Sequence, residues 1–229
     1  MKKLLLTAII LFAFIMLSQA QNSFKPAIKC NYLLYLPTDY HDNTKEYPLV
    51  IFLHGSNLRG NDINMVKKSS LPYYISQGKH YDFIVASPQC PENYKWSLVN
   101  WFDSLYTDLS AKYRIDKSRI YATGNSMGGF GTWQVAMDYP DKIAAIVPLC
   151  GGCLDSLEIC KIKKMPIWAF HGVNDDVVDV NQTDRLVQRL NKCDANIKYT
   201  RIEGRGHGIS DFYQKDEIFD WLLQQKLAK

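Results

Sequence analysis

The sequence has little of what would set it apart from an ordinary globular protein. Its 13 glycines and 9 prolines in 229 residues are too few for a collagen-like or disordered chain, and it shows no low-complexity tract and no internal repeat. An excess of one charge is also missing. The 27 Lys and Arg face 23 Asp and Glu, and Lys2 and Lys3 fall in a segment expected to be removed, so no electrostatic footprint for nucleic acid remains. The absence of an H-E-x-x-H motif and of a clustered His and Asp pair sets aside a metal hydrolase. Cys150 and Cys153 form a C-x-x-C with no second copy, and they follow an apolar run into Gly151 and Gly152 instead of opening a helix. They read as structural, not as redox or zinc chemistry. No linker divides the chain, and 47% hydrophobic residues suit one domain with a substantial core.

Long hydrophobic runs are confined to the start. After Met1, Lys2 and Lys3, the stretch Leu4 to Leu17 is apolar except for Thr7, and Ser18-Gln19-Ala20 presents small residues at a cut. This is the pattern of a secretory signal peptide over residues 1–20. The run is shorter than the roughly 20 residues a membrane span needs, so no stable membrane anchor is expected after cleavage. Cys30 lies too far beyond Ala20 for a lipoprotein. The expected mature protein, Gln21 to Lys229, is exported to a periplasm or out of the cell. It retains all 6 cysteines, Cys30, Cys90, Cys150, Cys153, Cys160 and Cys193, an even number compatible with disulfides in an oxidising compartment.

Short apolar runs then alternate with amphipathic stretches. Strands are expected at Ile28 to Leu36, Leu49 to Leu53, Phe83 to Ser87, Ile120 to Thr123, Ile143 to Leu149, Ile167 to Phe170 and Ile197 to Ile202. Several are continuously apolar, as in parallel strands covered on both faces. Helical spacing joins Trp101, Leu105, Leu109 and Tyr113, then Leu186, Val187 and Leu190, then Ile218, Phe219, Leu222 and Leu223. The alternation predicts a single α/β domain over residues 21–229 with a mostly parallel central sheet and helices on both faces.

The sharpest motif is Gly124-Asn125-Ser126-Met127-Gly128, between the run ending at Thr123 and the helical stretch Gly129 to Met137. A G-x-S-x-G in strand–turn–helix context is a nucleophile elbow: the turn presses the residues on either side of the serine together, and only glycine lacks the Cβ that would clash. A serine hydroxyl needs a base, and the base needs an orienting acid. In an open parallel sheet both should follow later strands. Ile167 to Phe170 runs into His171-Gly172-Val173-Asn174-Asp175-Asp176, and Ile197 to Ile202 into Glu203-Gly204-Arg205-Gly206-His207. The order Ser126, Asp175, His207 suits this architecture. From the residues alone the acid is Asp175 or its neighbour Asp176, with Asp179 more distant. His171 and His54 each end an apolar run and read as structural, and His41 and His80 have no partners in their surroundings.

Acyl transfer also needs backbone N–H groups aimed at the developing oxyanion. The amide of Met127, beside the nucleophile, and that of Ser56, in the loop His54-Gly55-Ser56-Asn57, are the expected pair. Trp96 is a candidate apolar wall for the substrate, and Trp101 a weaker one; for both the alternative is a place in the core. Only Cys153 to Met165 separates the fifth and sixth expected strands, too little chain for a lid domain.

Leu53-His54-Gly55, Gly124-Asn125-Ser126-Met127-Gly128-Gly129, His171-Gly172-x-x-Asp175 and Gly206-His207 together resemble the α/β-hydrolase superfamily. More narrowly the chain is similar to the phospholipase/carboxylesterase group and its exported relatives, among them feruloyl and acetyl esterases and prolyl oligopeptidase-like proteins. The resemblance runs from about Tyr32 to the C-terminus. It implies a cofactor-free serine hydrolase acting on small-molecule or polysaccharide-linked esters. It favours Asp175 as the acid of H-G-x-x-D, although Asp176 stands where many relatives have proline, and it places the stretch from Ser87 to Trp96 beside the substrate cleft. The rival expectations are a peptidase acting on short peptides and a non-catalytic binding module on a hydrolase fold. Oligomeric state is left open.

Overall fold

The computed structural model describes residues 25–154 and 156–227; the expected signal peptide lies outside them. Seven strands make one sheet in the order β1-β3-β2-β4-β5-β6-β7. They are β1 (Tyr32–Tyr35), β2 (Tyr47–Leu53), β3 (Ile84–Pro88), β4 (Ile115–Asn125), β5 (Ala145–Leu149), β6 (Ile167–Gly172) and β7 (Ile197–Ile202). β1 runs antiparallel to β3 at one edge, and the other pairings are parallel. Helices α1 (Ser70–Ser76), α2 (Phe102–Lys112), α3 (Met127–Asp138), α4 (Asn181–Lys192) and α5 (Glu217–Leu223) surround it.

The apolar runs behave as expected of strands buried on both faces. All seven residues of β2 are buried. Their side chains alternate, so Leu49, Ile51 and Leu53 join Trp133, Leu105 and Leu186 on one side, while Val50 and Phe52 join Leu71, Phe219 and Leu222 on the other. At roughly 25 cal/mol per Å² of apolar surface removed from water, these two layers supply the main driving force for folding.

Strand order positions the site. The chain runs outward from β2 to β3, then returns past β2 to β4 and continues outward to β7. The direction reverses between β2 and β4, and it is beyond the C-terminal ends of such neighbours that open α/β sheets bind ligands. Leu53 and Gly124 are paired there. At the opposite end of the sheet the Leu227 amide donates to the carbonyl of Ser118, near the start of β4, at 2.8 Å.

Between β5 and β6 the described residues form a short 3-10 segment, Ser156–Ile162. A disulfide, Cys160–Cys193, ties it to the residue after α4. Cys30, Cys90 and Cys150 are buried thiols; burial pushes Cys30 up to about 11 and Cys90 and Cys150 up to about 12. No helix among the described residues is long and apolar enough to cross a membrane.

Candidate active site

β4 delivers Ser126 at φ 58°, ψ −122°, a backbone conformation that costs a non-glycine residue on the order of 1–3 kcal/mol. The surroundings hold it there. The Ser126 amide donates to the Leu149 carbonyl at the end of β5 (3.0 Å), and its carbonyl accepts from Phe130 in the first turn of α3 (3.1 Å). A Cβ on Gly124 would stand 2.7 Å from the backbone of Gly128, and one on Gly128 only 1.9 Å from the Leu53 carbonyl oxygen. The elbow is therefore possible only with glycine at both positions.

Asp175 follows β6 and His207 follows β7. The Nδ1 of His207 lies 2.7 Å from Oδ2 of Asp175. A carboxylate only accepts, so Nδ1 carries the proton and Nε2 is the basic nitrogen. Of the two adjacent aspartates it is thus Asp175 that pairs with the imidazole; Asp176 is exposed. The other oxygen of Asp175 accepts from the amides of Val177 (2.9 Å) and Val178 (2.8 Å). Burial opposes the charge, but the bonds from His207 and from these amides prevail and hold the carboxyl below its ordinary value.

His171, read from the sequence as structural, is fully buried. Its Nδ1 meets the Thr183 hydroxyl at 2.7 Å and its Nε2 the Val178 carbonyl at 2.9 Å. The same Nε2 stands 3.2 Å from Oδ2 of Asp175. Both neighbours of Nε2 are acceptors, so it too carries a proton, shared between them. Ligand atoms of Cys150, His171 and Asp175 lie within 4.8 Å of one another, but those of the histidine and the aspartate are engaged in the hydrogen bonds just described, and the Cys150 thiol reaches the His207 carbonyl at 3.7 Å. Ser126 and His207 therefore both rest on the end of β5, through Leu149 and Cys150.

Met127 is the first residue of α3, where helical amides have no partner within the helix. Ser56 opens a 3-10 turn beyond β2. Both line one open cleft of about 260 Å³, whose apolar side is Met127, Phe130 and Leu154 and whose polar side is Ser56, Arg59, Lys95 and Ser97. The Ser56 loop is anchored by His54, fully buried, whose Nε2 accepts from the Cys90 amide (3.0 Å) and whose Nδ1 therefore donates to the Gly55 carbonyl (2.6 Å). Burial, joined by the Arg59 charge, lowers this imidazole to about 4.

Trp96 corrects an expectation. It is 1% exposed, donates its indole N–H to the His54 carbonyl at 3.0 Å, and packs so closely that a Cβ on Gly131 would stand 2.4 Å from its own Cβ. It supports the floor of the site from the core, and its neighbours Lys95 and Ser97 face the cleft instead. Trp101 is likewise in the core, its indole N–H on the Trp96 carbonyl. Arg59, Lys95, Phe130 and Leu154 were not singled out from the sequence. Phe130, beside Gly129 in the helix that carries the elbow, was the one with a readable signal.

A family model described as Phospholipase/Carboxylesterase matches residues 99–215, just over half of the chain. The chain belongs to that family. Among its relatives is the bifunctional acetylxylan esterase/xylanase of Neocallimastix patriciarum, 24% identical over 228 residues, an alignment that takes in 83% of this chain and 32% of that protein. A probable feruloyl esterase C of Aspergillus niger is 27% identical over 194 residues, covering 80% and 70% of the two chains. Among solved structures, a thermostable esterase superposes with a TM-score of 0.73 at 33% identity, over 85% of this chain and 59% of that one. This chain thus spans about a third of the fungal esterase/xylanase. The family and these neighbours share the α/β-hydrolase fold expected from the residues.

Proposed function

We propose that the protein is an exported serine carboxylesterase that cleaves acetyl or feruloyl-type esters, borne on polysaccharide, through an acyl-enzyme. The observation that carries this reading is the strained Ser126 at the sheet's switch point together with the Asp175–His207 pair at the same end. In the proposed cycle His207 Nε2 takes the Ser126 proton as Oγ attacks the ester carbonyl. Asp175 keeps the imidazole in the required tautomer and balances its charge, and the amides of Ser56 and Met127 hold the oxyanion. Collapse expels the alcohol, which leaves with the proton from His207. Water then attacks the acyl-serine by the same route, releasing the acid and restoring Ser126.

An open cleft with one apolar side suits a small acyl or aromatic acyl group on a bulky alcohol. The N-terminal sequence supports export. The chemistry needs no cofactor, since nucleophile, base and oxyanion donors all come from the chain. The test compares wild type with Ser126→Ala on acetyl, long-acyl and feruloyl esters and on an aminoacyl amide. Turnover of acetyl or feruloyl esters that falls by a factor on the order of 10⁴ or more in the variant is expected. Turnover that survives in Ser126→Ala removes the proposed nucleophile, and preference for the amide makes the protein a peptidase.

A further inference from the structure

The polar side of the cleft has an excess of one charge that the whole sequence does not. Arg59 and Lys95 line it, and among the described residues of its lining there is no acid. Arg59 is fixed in place, its Nε on the Ser56 carbonyl (3.1 Å) and one Nη1 hydrogen on the Glu92 carbonyl (2.9 Å). Both acceptors are neutral, so the guanidinium keeps its charge and its remaining donors, and it is fastened to the residue whose amide is the proposed oxyanion donor.

A second groove, of about 470 Å³, is lined among the described residues by Ser156, Arg185, Gln188, Arg189 and Lys192, again cations without an acid. It begins two residues beyond Leu154 of the cleft, a stretch of chain that reaches at most about 7 Å. The distribution of arginine makes the same point. Of the seven in the sequence, Arg119, Arg201 and Arg205 are ion-paired among the described residues. Three of the other four, Arg59, Arg185 and Arg189, line these two grooves. Asp179 feels the charge of Arg185, but its carboxylate is taken up by Asn181.

We propose that the ester substrate is carried on an anionic polysaccharide, bearing uronate or sulfate groups, that runs from the cleft across Leu154 into the groove between the 3-10 segment and α4. Arg59 and Lys95 receive an acidic group beside the scissile ester, and Arg185, Arg189 and Lys192 receive further ones along the chain. An arginine fork matches an oxyanion through two parallel hydrogen bonds, and cations without an ion pair among the described residues also raise the encounter rate of a polyanion. This inference rests on the esterase reading for the reaction but not for the binding.

Binding and turnover therefore test it separately. In the full-length mature chain carrying Ser126→Ala, the affinities of an unesterified oligogalacturonate, a sulfated xylo-oligosaccharide and a neutral xylo-oligosaccharide of equal length are measured by calorimetry at low and high salt. At least one anionic ligand is expected to bind roughly tenfold tighter than the neutral one at low salt, as about 1.4 kcal/mol from two charge-assisted contacts gives, and the tighter anion identifies the acidic group. Arg59→Gln with Lys95→Gln should abolish most of that ratio, and Arg185→Gln with Arg189→Gln should reduce it for longer oligomers. Equal affinities, or a ratio untouched by both pairs of substitutions, overturns the proposal. In wild type, acetylated oligogalacturonate is compared with acetylated xylo-oligosaccharide. Tight anion binding with no ester turnover on any substrate defeats the esterase reading and leaves the anionic site standing; turnover that favours the neutral ester defeats the site alone.

Discussion

Both imidazoles that touch Asp175 use the same oxygen, Oδ2, while two backbone amides occupy Oδ1. The carboxylate is thereby fixed from four directions, with the buried Cys150 thiol beside it, and His171 does so from full burial. It acts as a positioning residue. Its loss should be felt in the chemical step, because a misplaced carboxylate no longer holds His207 at the right angle. His171→Leu is expected to lower kcat about tenfold or more, as loss of a hydrogen bond to a charged group of about 1.5 kcal/mol implies, with KM changed less than twofold. His171→Gln, whose amide N–H can reach where Nε2 now sits, should recover part of the loss. A residue that only filled space would lower stability in both variants and leave kcat alone.

Ser126 and His207 could be named from residue types and chain order because the chemistry requires them after particular strands. The choice between Asp175 and Asp176 could not be made that way. Adjacent aspartates in a loop differ only in direction, and direction is set by the Val177 and Val178 amides. The same holds for Trp96: sequence placed it next to Lys95 and Ser97 but could not show which of the three turns inward.

The segment Ser156–Ile162 carries the groove residue Ser156 and is held to α4 by Cys160–Cys193, across a sequence separation of 33. On a chain-entropy basis such a closure stabilises by about 3 to 4 kcal/mol. Replacing both cysteines with serine is expected to lower the unfolding free energy by about that amount in urea titrations, with a steeper slope because the uncrosslinked chain exposes more surface when it unfolds. A loss much below 1 kcal/mol would show that the unfolded chain is already constrained there. Six cysteines and the expected export pointed to disulfides but not to this pairing, since only the fold brings the two segments together. Strands such as β2 and β6 were readable because parallel strands covered on both faces need continuous apolar residues; β7, found at the range expected, is a partly buried edge strand. β4 begins earlier than expected because its first part, Ile115 to Arg119, is buried only at Ile115 and has no apolar run. α1 was not anticipated: seven residues with Pro72 in the first turn offer too little periodicity.

Acid should weaken the whole molecule through His54. Its folded-state value of about 4 lies below the 6.5 of an unperturbed imidazole. Between these pH values the unfolded chain therefore binds a proton that the folded chain refuses. Stability is complete above about pH 6.5 and is lost as pH falls toward 4, by about 3 kcal/mol from this group. The Asp175 carboxyl, held low in the fold, adds a loss of the same sign at still lower pH. Urea midpoints measured from pH 7 to pH 4 should fall more steeply for wild type than for His54→Gln, which keeps a donor and an acceptor without the titration. Parallel curves would assign the acid sensitivity elsewhere.

The proposed catalytic groups gather at one end of the sheet, and the bond from Leu227 to Ser118 fastens the end of α5's tail to the other. Ser118 and Ser126 are eight positions apart along extended β4, roughly 25 Å. Immobilising the protein on a solid support through its C-terminus would consequently turn the cleft away from the support, leaving it free to meet an insoluble polymer.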